Sequence, residues 1–247
     1  ATAKFSELLS SDKVRLINCL NYIDIRVSTK VDEPTLMTVF NNYLEEEFSN
    51  CYDLYYKGGD ESIYNKRFGK NRLLPGEKNL IVKNALEVAK RLDLTSLSKF
   101  TLIDFGCGDG RYYPAFSELA RILNGKGVEL EIIGYDPSKT GLECYSSSLE
   151  KLGFKKLKID SIGKLHSNYK RGNLTFKLIH GDVEYSVDTI KSLIGGDDSA
   201  HLLMCMFGTI SHIPTREGRV KTKCMFENII SEHGRIVLTV PTQKSFS

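Results

Sequence analysis

A glycine loop that directly follows an apolar run constrains this chain more than any other segment. Residues 100–103 have the composition of a buried strand, and residues 104–110 continue it with the sequence DFGCGDG. Glycine has no Cβ and tolerates a positive φ, so Gly106, Gly108 and Gly110 would let a ligand lie against the main chain itself. A loop that opens a helix also directs backbone N–H groups at a ligand. The sequence therefore predicts a ligand site here, with a plain strand-to-helix turn as the alternative.

Strand and helix patterns alternate from this loop onward. A helix pattern covers residues 111–124, and further strand patterns cover residues 129–135, 174–180, 201–207 and 234–241. Such alternation predicts an α/β fold with a doubly wound, mostly parallel sheet. Ligands of such sheets bind outside the carboxyl ends of the strands.

Acidic residues stand at the ends of the second and third strands. Asp136 and Pro137 end the second strand, and Gly181, Asp182 and Val183 follow the third. A doubly wound sheet uses a carboxylate at the tip of the second strand to hold ribose hydroxyls. The alternative is that Asp136 caps the next helix ahead of Pro137. Asp182 would face the same crevice and could accept a hydrogen bond from the amine of an adenine.

Four motifs follow the first four strands in order: DFGCGDG, GYDP, HGDVE and MFGTISHIP. Over about residues 100–242, this order resembles the class I S-adenosylmethionine-dependent methyltransferases, whose fold is Rossmann-like. The resemblance implies S-adenosyl-L-methionine as the cofactor and S-adenosyl-L-homocysteine as the product. The cofactor-binding residues that it implies are Asp104, Phe105, Gly106, Cys107, Gly108, Gly110, Asp136, Pro137, Gly181, Asp182, Val183, Phe207 and Gly208.

The resemblance also implies how these residues divide the cofactor between them. Asp104 and the loop glycines would line the methionine part, and Asp136 would hold the ribose. Asp182 and its neighbour would frame the adenine, while Phe207 and Gly208 would close the floor below the activated methyl group. Carboxylates suit this ligand because it is positively charged at both its sulfur and its ammonium group.

The glycine spacing distinguishes this loop from that of a nicotinamide dehydrogenase. That class has the fingerprint G-x-G-x-x-G, whereas this chain has G-x-G-x-G. Tyr112 and Tyr113 stand where the third glycine would fall, and their bulk would crowd a pyrophosphate at the helix N-terminus. The spacing argues against a dinucleotide.

His212 is the candidate catalytic residue. It follows the fourth strand, at the lip where a methyl acceptor would lie, and the ordinary histidine pKa of about 6.5 suits a general base. Alternatively, His212 only hydrogen-bonds its loop and the reaction uses no base. The segment SHIPTREGRV is similar to one in wobble-uridine tRNA methyltransferases. We expect a small-molecule acceptor first and RNA second, with a catalytically inactive cofactor-binding subunit as a further alternative.

The first part of the chain lacks the strand–helix alternation. Helix patterns cover residues 5–20, 35–48 and 75–91. We therefore expect a helical lid or substrate region over residues 1–74 and the cofactor-binding domain over residues 75–247. Tyr64 and Arg67 are candidates to bind the cofactor carboxylate, since arginine is a bidentate partner for carboxylates. Packing of these side chains against the domain is the alternative.

Composition indicates a globular chain without a membrane or metal signal. Its 247 residues are 41% hydrophobic with a net charge of +3, and no window approaches about 18 consecutive apolar residues. The N-terminus lacks a secretory pattern, and the six cysteines show no metal-ligand spacing. These features predict reduced thiols and a cytoplasmic location. The charge neither requires nor excludes a nucleic acid.

The usual sixth and seventh strands of the class I fold are missing from the pattern after residue 241. A sheet edge left open in this way would be a pairing hazard. We therefore expect a homodimer or a missing C-terminal segment to cover that edge.

Overall fold

The structure is a computed structural model of the chain. It describes residues 15–17, 22–24, 53, 56–58, 62, 76–92, 97–158, 165–181, 190–194, 199–206, 209–213 and 216–239, with only the backbone for the first two ranges and for residues 211 and 212.

A seven-stranded sheet forms the centre of the described structure. Its strands are β3 (Lys99–Phe105), β4 (Glu129–Asp136), β5 (Lys155–Lys156), β6 (Leu165–Arg171), β7 (Leu174–His180), β8 (Ala200–Cys205) and β9 (Ile230–Leu238). They lie in the order β5-β6-β7-β4-β3-β8-β9. The five strands from β7 to β9 in this order are parallel, and β6 and β5 are added antiparallel at the β7 edge. The predicted doubly wound, mostly parallel fold is confirmed.

Among the described residues, four longer helices cover the two faces of the sheet. They are α1 (Glu77–Arg91), α2 (Tyr113–Asn124), α3 (Lys139–Lys151) and α4 (Arg216–Ile229). The first three pack into one apolar core, and α4 packs with the helical residues 190–194 into a second core on the other face. Within the described ranges, no helix combines the length and apolarity needed to cross a membrane.

Alternation along β3 explains how one strand serves both cores. Phe100 and Leu102 belong to the first core, and Ile103 and Phe105 belong to the second. All four are at most 2% exposed. Full burial of each such side chain contributes about 1.5–3 kcal/mol to folding. The strand is therefore held from both sides, and its carboxyl end is a rigid base for the loop that follows.

Two strands of the seven-stranded sheet were not predicted. β5 and β6 form an antiparallel extension, in which β6 has the largely polar sequence LHSNYKR. Ser167 and Tyr169 are its buried residues, so the inward face presents only one large apolar ring. The available sequence signal was Gly172-Asn173, a two-residue hairpin turn between β6 and β7. Gly172 has the positive φ of 58° that such a turn requires.

The last strand begins earlier than predicted. The pattern indicated residues 234–241, whereas β9 starts at Ile230, directly after the end of α4. The register of its pairing with β8 shifts between Ala200 and Leu202. Ala200 pairs with Ile230 and Leu202 pairs with Arg235, so an irregularity in β9 separates the two pairs. Among the described strands, β9 has β8 as its one neighbour.

The predicted helix over residues 5–20 is wrong at residues 15–17, and the rest of that range lies outside the described residues. Residues Arg15–Ile17 form strand β1, which pairs antiparallel with strand β2, Tyr22–Asp24. The β-branched residues in this stretch, among them Val14, Ile17 and Ile23, favour strands over helices. The helix pattern over residues 35–48 lies outside the described residues, and the third helix is observed as α1. The domain boundary at residue 74 stays a prediction.

Candidate ligand-binding site

The glycine loop leaves the sheet at the end of β3 and crosses the end of β4. Gly106 and Cys107 both donate their backbone N–H to the carbonyl oxygen of Tyr135, at 2.8 and 3.0 Å. Gly106, Gly108 and Gly110 have φ values of 82°, 52° and 87°. Residues that carry a Cβ strongly disfavour this left-handed region of positive φ, so the loop depends on glycine.

Each of two loop glycines also lies against a bulky neighbour. A Cβ on Gly106 would collide with the side chain of Thr209, and a Cβ on Gly110 would collide with the ring of Tyr145. Thr209 begins a short 3-10 helix, Thr209–His212, after β8. The loop is therefore packed between α3 and the segment that follows β8.

Asp136 lies at the end of β4 and binds the loop directly. One carboxylate oxygen accepts a hydrogen bond from the backbone N–H of Gly108 at 2.7 Å, and the other accepts one from Ser138 at 2.8 Å. Burial raises the pKa of the Asp136 carboxyl to about 6, and these two hydrogen bonds oppose the rise. The carboxyl is therefore mostly ionised at neutral pH, where it can accept further hydrogen bonds.

Asp104 is the other buried carboxyl of the site. It is 1% exposed, and neither of its oxygens has a hydrogen-bond partner among the described residues. Burial, followed by the negative charge of Asp136, raises the pKa of the Asp104 carboxyl to about 8. Without a ligand, Asp104 is therefore mostly protonated at neutral pH.

Cys107 is buried near these two carboxyl groups. Burial and the charges of Asp136 and Asp104 raise the pKa of its thiol well above the ordinary value. A thiol in this state is not a nucleophile, since the thiolate is the reactive form. Its predicted contribution is therefore limited to the backbone of the loop.

The end of the loop is tied to α1. The Arg111 guanidinium pairs with the Glu77 carboxylate at 3.3 Å, and the Tyr112 hydroxyl donates to the same carboxylate at 3.2 Å. Arg111 and Tyr112 are 5% and 3% exposed. Because the residues after the loop are fixed in this way, α2 begins in a defined orientation.

Several predicted site residues lie outside the described residues or are described in part. Gly181 follows the end of β7, where the neighbouring His180 places Nε2 3.1 Å from the carbonyl oxygen of Pro137. The backbone of His212 lies in the short helix after β8. Outside the described residues lie Tyr64, Arg67, Asp182, Val183, Phe207 and Gly208.

Sequence reasoning missed how Asp53 and Ser138 contribute to the site. Asp53 accepts a hydrogen bond from the Ser138 hydroxyl at 2.7 Å. Ser138 in turn caps α3 by accepting from the Gly141 N–H at 2.9 Å. The sequence signal for the cap was Ser138 directly before the helix pattern. No local signal links Asp53 to it, because the two residues are 85 positions apart.

Together, the fold and the site define a Rossmann-like α/β protein. Its glycine loop lies at the topological switch point, where the chain, after building β3, β4 and β7 in one direction, continues with β8 on the other side of β3. Such switch points are the ligand sites of open α/β sheets.

Comparison with known proteins finds no matching family model and no matching curated protein, but it does find solved structures. The YcgJ protein of Bacillus subtilis is 20% identical, with a TM-score of 0.38, over 65% of this chain and 48% of its own. An S-adenosylmethionine-dependent methyltransferase of Clostridium acetobutylicum is 14% identical, with a TM-score of 0.44, over 73% of this chain and 55% of its own. A methyltransferase of the same cofactor dependence from Archaeoglobus fulgidus is 14% identical, with a TM-score of 0.37, over 73% of this chain and 58% of its own.

The chain thus spans about half the length of these solved structures. Two of the three are described as methyltransferases that depend on the cofactor that the motifs of this chain predict.

Proposed function

We propose that this chain is an S-adenosyl-L-methionine-dependent methyltransferase that acts on a small-molecule acceptor. One observation carries the proposal: the glycine loop lies between two buried carboxyl groups, and neither oxygen of Asp104 has a hydrogen-bond partner among the described residues. A buried polar group without a partner is costly, so a ligand that supplies the partner would be stabilised there. A cation suits the position, because it would pair with the Asp104 carboxylate when that group ionises and would also be attracted by the nearby charge of Asp136.

The residues of the loop fit this cofactor at its positively charged end. Its sulfonium and ammonium groups would offset the burial of the Asp104 carboxylate. The main chain of Phe105, Gly106 and Cys107 would lie along the methionine part. Gly106 adds no side chain of its own there, and Thr209 fills the space that a Cβ on Gly106 would take. When bound, the cofactor supplies an activated methyl group.

Asp136 fits the ribose. A carboxylate has about four lone-pair sites, and the N–H groups of Gly108 and Ser138 use two of them. Two sites remain for the two ribose hydroxyls. Pro137, directly after it, would form the wall beside the ribose.

Crowding at the end of the loop supports this cofactor over a dinucleotide. The ring of Tyr145 lies where a Cβ on Gly110 would stand, and Tyr112, two residues further on, is buried. A pyrophosphate needs free access to the helix N-terminus at this point. The methionine part of S-adenosyl-L-methionine has no such group.

Methyl transfer from a sulfonium is an in-line displacement, so the protein contributes mainly by positioning the two reactants. We assign the base that removes the acceptor proton to His212. The position of His212 in the chain supports this role. The short helix Thr209–His212 begins with Thr209, which contacts Gly106 of the loop. The remaining proposed contacts are Phe207 and Gly208 below the methyl group.

The rest of the proposed cofactor contacts come from segments beyond the described ranges and keep the roles that the motifs imply. Asp182 and Val183, after Gly181, would frame the adenine. Tyr64 and Arg67 would bind the cofactor carboxylate.

Calorimetric titration of the purified chain tests the cofactor. We expect micromolar binding of S-adenosyl-L-methionine and S-adenosyl-L-homocysteine and no binding of NAD, which serves as the control. Binding of NAD alone would replace the proposal with a dehydrogenase, and binding of none of the three would overturn it.

A transfer assay with radiolabelled methyl groups tests the acceptor. Small-molecule pools and a total tRNA preparation are offered side by side to the wild type and to His212→Ala. Label in the small-molecule fraction, reduced at least tenfold in the variant, is the expected result. Label in tRNA would establish the RNA alternative, and cofactor binding without transfer to either pool would favour an inactive supporting subunit.

A further inference from the structure

A short turn from the N-terminal region contacts the mouth of the proposed cofactor site. The backbone N–H of Lys57 donates to the carbonyl oxygen of Asp53 at 2.9 Å, which is the spacing of a helical turn. Asp53 and Tyr56 are three residues apart, so their side chains lie on the same side of this turn. We call Asp53, Tyr56 and Lys57 the docking turn.

Asp53 fixes the docking turn to the residues that follow Asp136. One oxygen of the Asp53 carboxylate accepts hydrogen bonds from the Ser138 hydroxyl at 2.7 Å and from the backbone N–H of Thr140 at 3.0 Å. The first N–H groups of a helix have no partner within the helix, so Asp53 supplies one for α3. The carboxylate also benefits from the positive end of the helix dipole. The contact is therefore specific in both geometry and charge.

Tyr56 lies between two glycines of the site. Its hydroxyl and ring fill the space that a Cβ on Gly108 would take. On the other side, two ring carbons lie 3.2 and 3.3 Å from the position of a Cβ on Gly141. Tyr56 is only 9% exposed. Since Gly108 donates its N–H to Asp136, the phenol reaches the loop beside the Asp136 carboxylate, which we propose binds the ribose.

We propose that Tyr56 contacts the ribose of the bound cofactor and that Asp53 is the positioning residue that holds it there. The inference rests on the proposed function and deepens it. A phenol hydroxyl both donates and accepts, so it complements a carboxylate that only accepts. Asp53 orders Tyr56 before the ligand arrives, so binding pays less for ordering this side chain. Tyr56 is thus a wall of the ribose pocket supplied from outside the sheet.

Titration of S-adenosyl-L-homocysteine into matched variants tests both roles. Tyr56→Phe removes only the hydroxyl, and we expect about 3- to 10-fold weaker binding, the scale of one hydrogen bond. Asp53→Ala should weaken binding by a similar factor. Asp53→Asn should restore most of it, because the amide oxygen still accepts from Ser138 and Thr140. This rescue separates positioning from a general loss of stability.

Two controls sharpen the test. Tyr169 on β6 carries a hydroxyl that donates to Glu150, near the end of α3, at 2.8 Å. Tyr169→Phe also removes a hydroxyl, and the affinity of this variant should equal that of the wild type. The double variant with Asp53→Ala and Tyr56→Phe should bind no more weakly than the weaker single variant. Such non-additivity is expected when one residue acts through the other.

Fluorescence gives a second readout, because the chain contains no tryptophan. Tyr56→Trp would carry a single reporter beside the loop, and its emission should change when S-adenosyl-L-homocysteine is added. Leu152→Trp places the reporter at the far end of α3, at a position 39% exposed, and its emission should stay constant.

Wild-type binding together with unchanged or tighter binding by Tyr56→Phe and Asp53→Ala would overturn this inference and leave the proposed function intact. Absence of binding by the wild type would overturn both.

Discussion

Replacing Asp104 with asparagine should make the protein more stable at high pH. The side chain keeps its shape but can no longer ionise. In the wild type, burial raises the pKa of the Asp104 carboxyl from 3.8 to about 8. The folded chain therefore retains a proton that the unfolded chain releases between these two pH values. Since the folded pKa is the higher one, this contribution to stability is present at low pH and declines as pH rises towards 8.

The size of the effect follows from the shift. While only the folded state holds the proton, the free energy of unfolding falls by about 1.4 kcal/mol for each pH unit. Between about pH 6 and pH 8, where the carboxyl goes from protonated to half ionised, the wild type should lose about 2 kcal/mol relative to Asp104→Asn. The Asp104→Asn variant should bind S-adenosyl-L-methionine more weakly than the wild type, because an amide cannot form an ion pair with the cationic cofactor.

Urea unfolding followed by circular dichroism at these two pH values measures the difference. Asp109→Asn is the matched control, since it removes a partly exposed carboxylate from the same loop, and its stability should follow the pH dependence of the wild type. Equal pH dependence of Asp104→Asn and the wild type would refute the reasoning, because it would mean that burial does not keep Asp104 protonated.

Three further predictions concern the same site. Asp136→Ala should weaken binding of S-adenosyl-L-homocysteine by about 10- to 100-fold in calorimetry, the effect of losing hydrogen bonds to a charged group; an unchanged affinity would remove the ribose assignment. Binding by the wild type should also weaken as pH falls below about 6, the pKa of Asp136, and titrations across this range that show constant affinity would contradict it. Gly110→Ala should destabilise the fold in urea by about 2–4 kcal/mol, because a positive φ combines with a collision against Tyr145. Gly153→Ala, with φ 80° but open space around it, should lose only about 1–2 kcal/mol, and equal losses would show that the collision is unimportant.

Strands with strong apolar patterns were predictable from the sequence. The segments that became β3, β4 and β7 are rich in apolar residues. Both faces of β3 and β4 are buried, whereas β7 alternates between buried and partly buried residues over its first half. A strand buried on both faces has a continuous apolar sequence, so its prediction does not depend on an alternation of apolar and polar residues. The same local character made the glycine loop readable, since its conformation depends on the absence of Cβ atoms.

Strand β6 was not predictable from apolar content, because its neighbours define it. Most of its residues are polar, and the strand exists because β7 offers an edge for pairing, to which β5 is then added. The segment Arg15–Ile17 departed from its prediction for a similar reason. Its apolar spacing predicted a helix, but the segment pairs with Tyr22–Asp24 as a strand. Pairing between strands is a property of two segments, and a pattern in one segment does not contain it.

The sequence by itself determined that a glycine loop would follow a buried strand and that Asp136 would stand at the end of the next one. These features are local, because they depend on residue type and on spacing within one βα unit. Only the tertiary structure decided that Asp104 would be buried without a partner among the described residues. It also decided that Asp53 would bind the start of α3 and that Tyr56 would lie against the loop, both from far along the chain. The reason is that burial and long-range hydrogen bonds arise from the packing of whole elements. The charge state of Asp104 and the shape of the ribose pocket both follow from that packing.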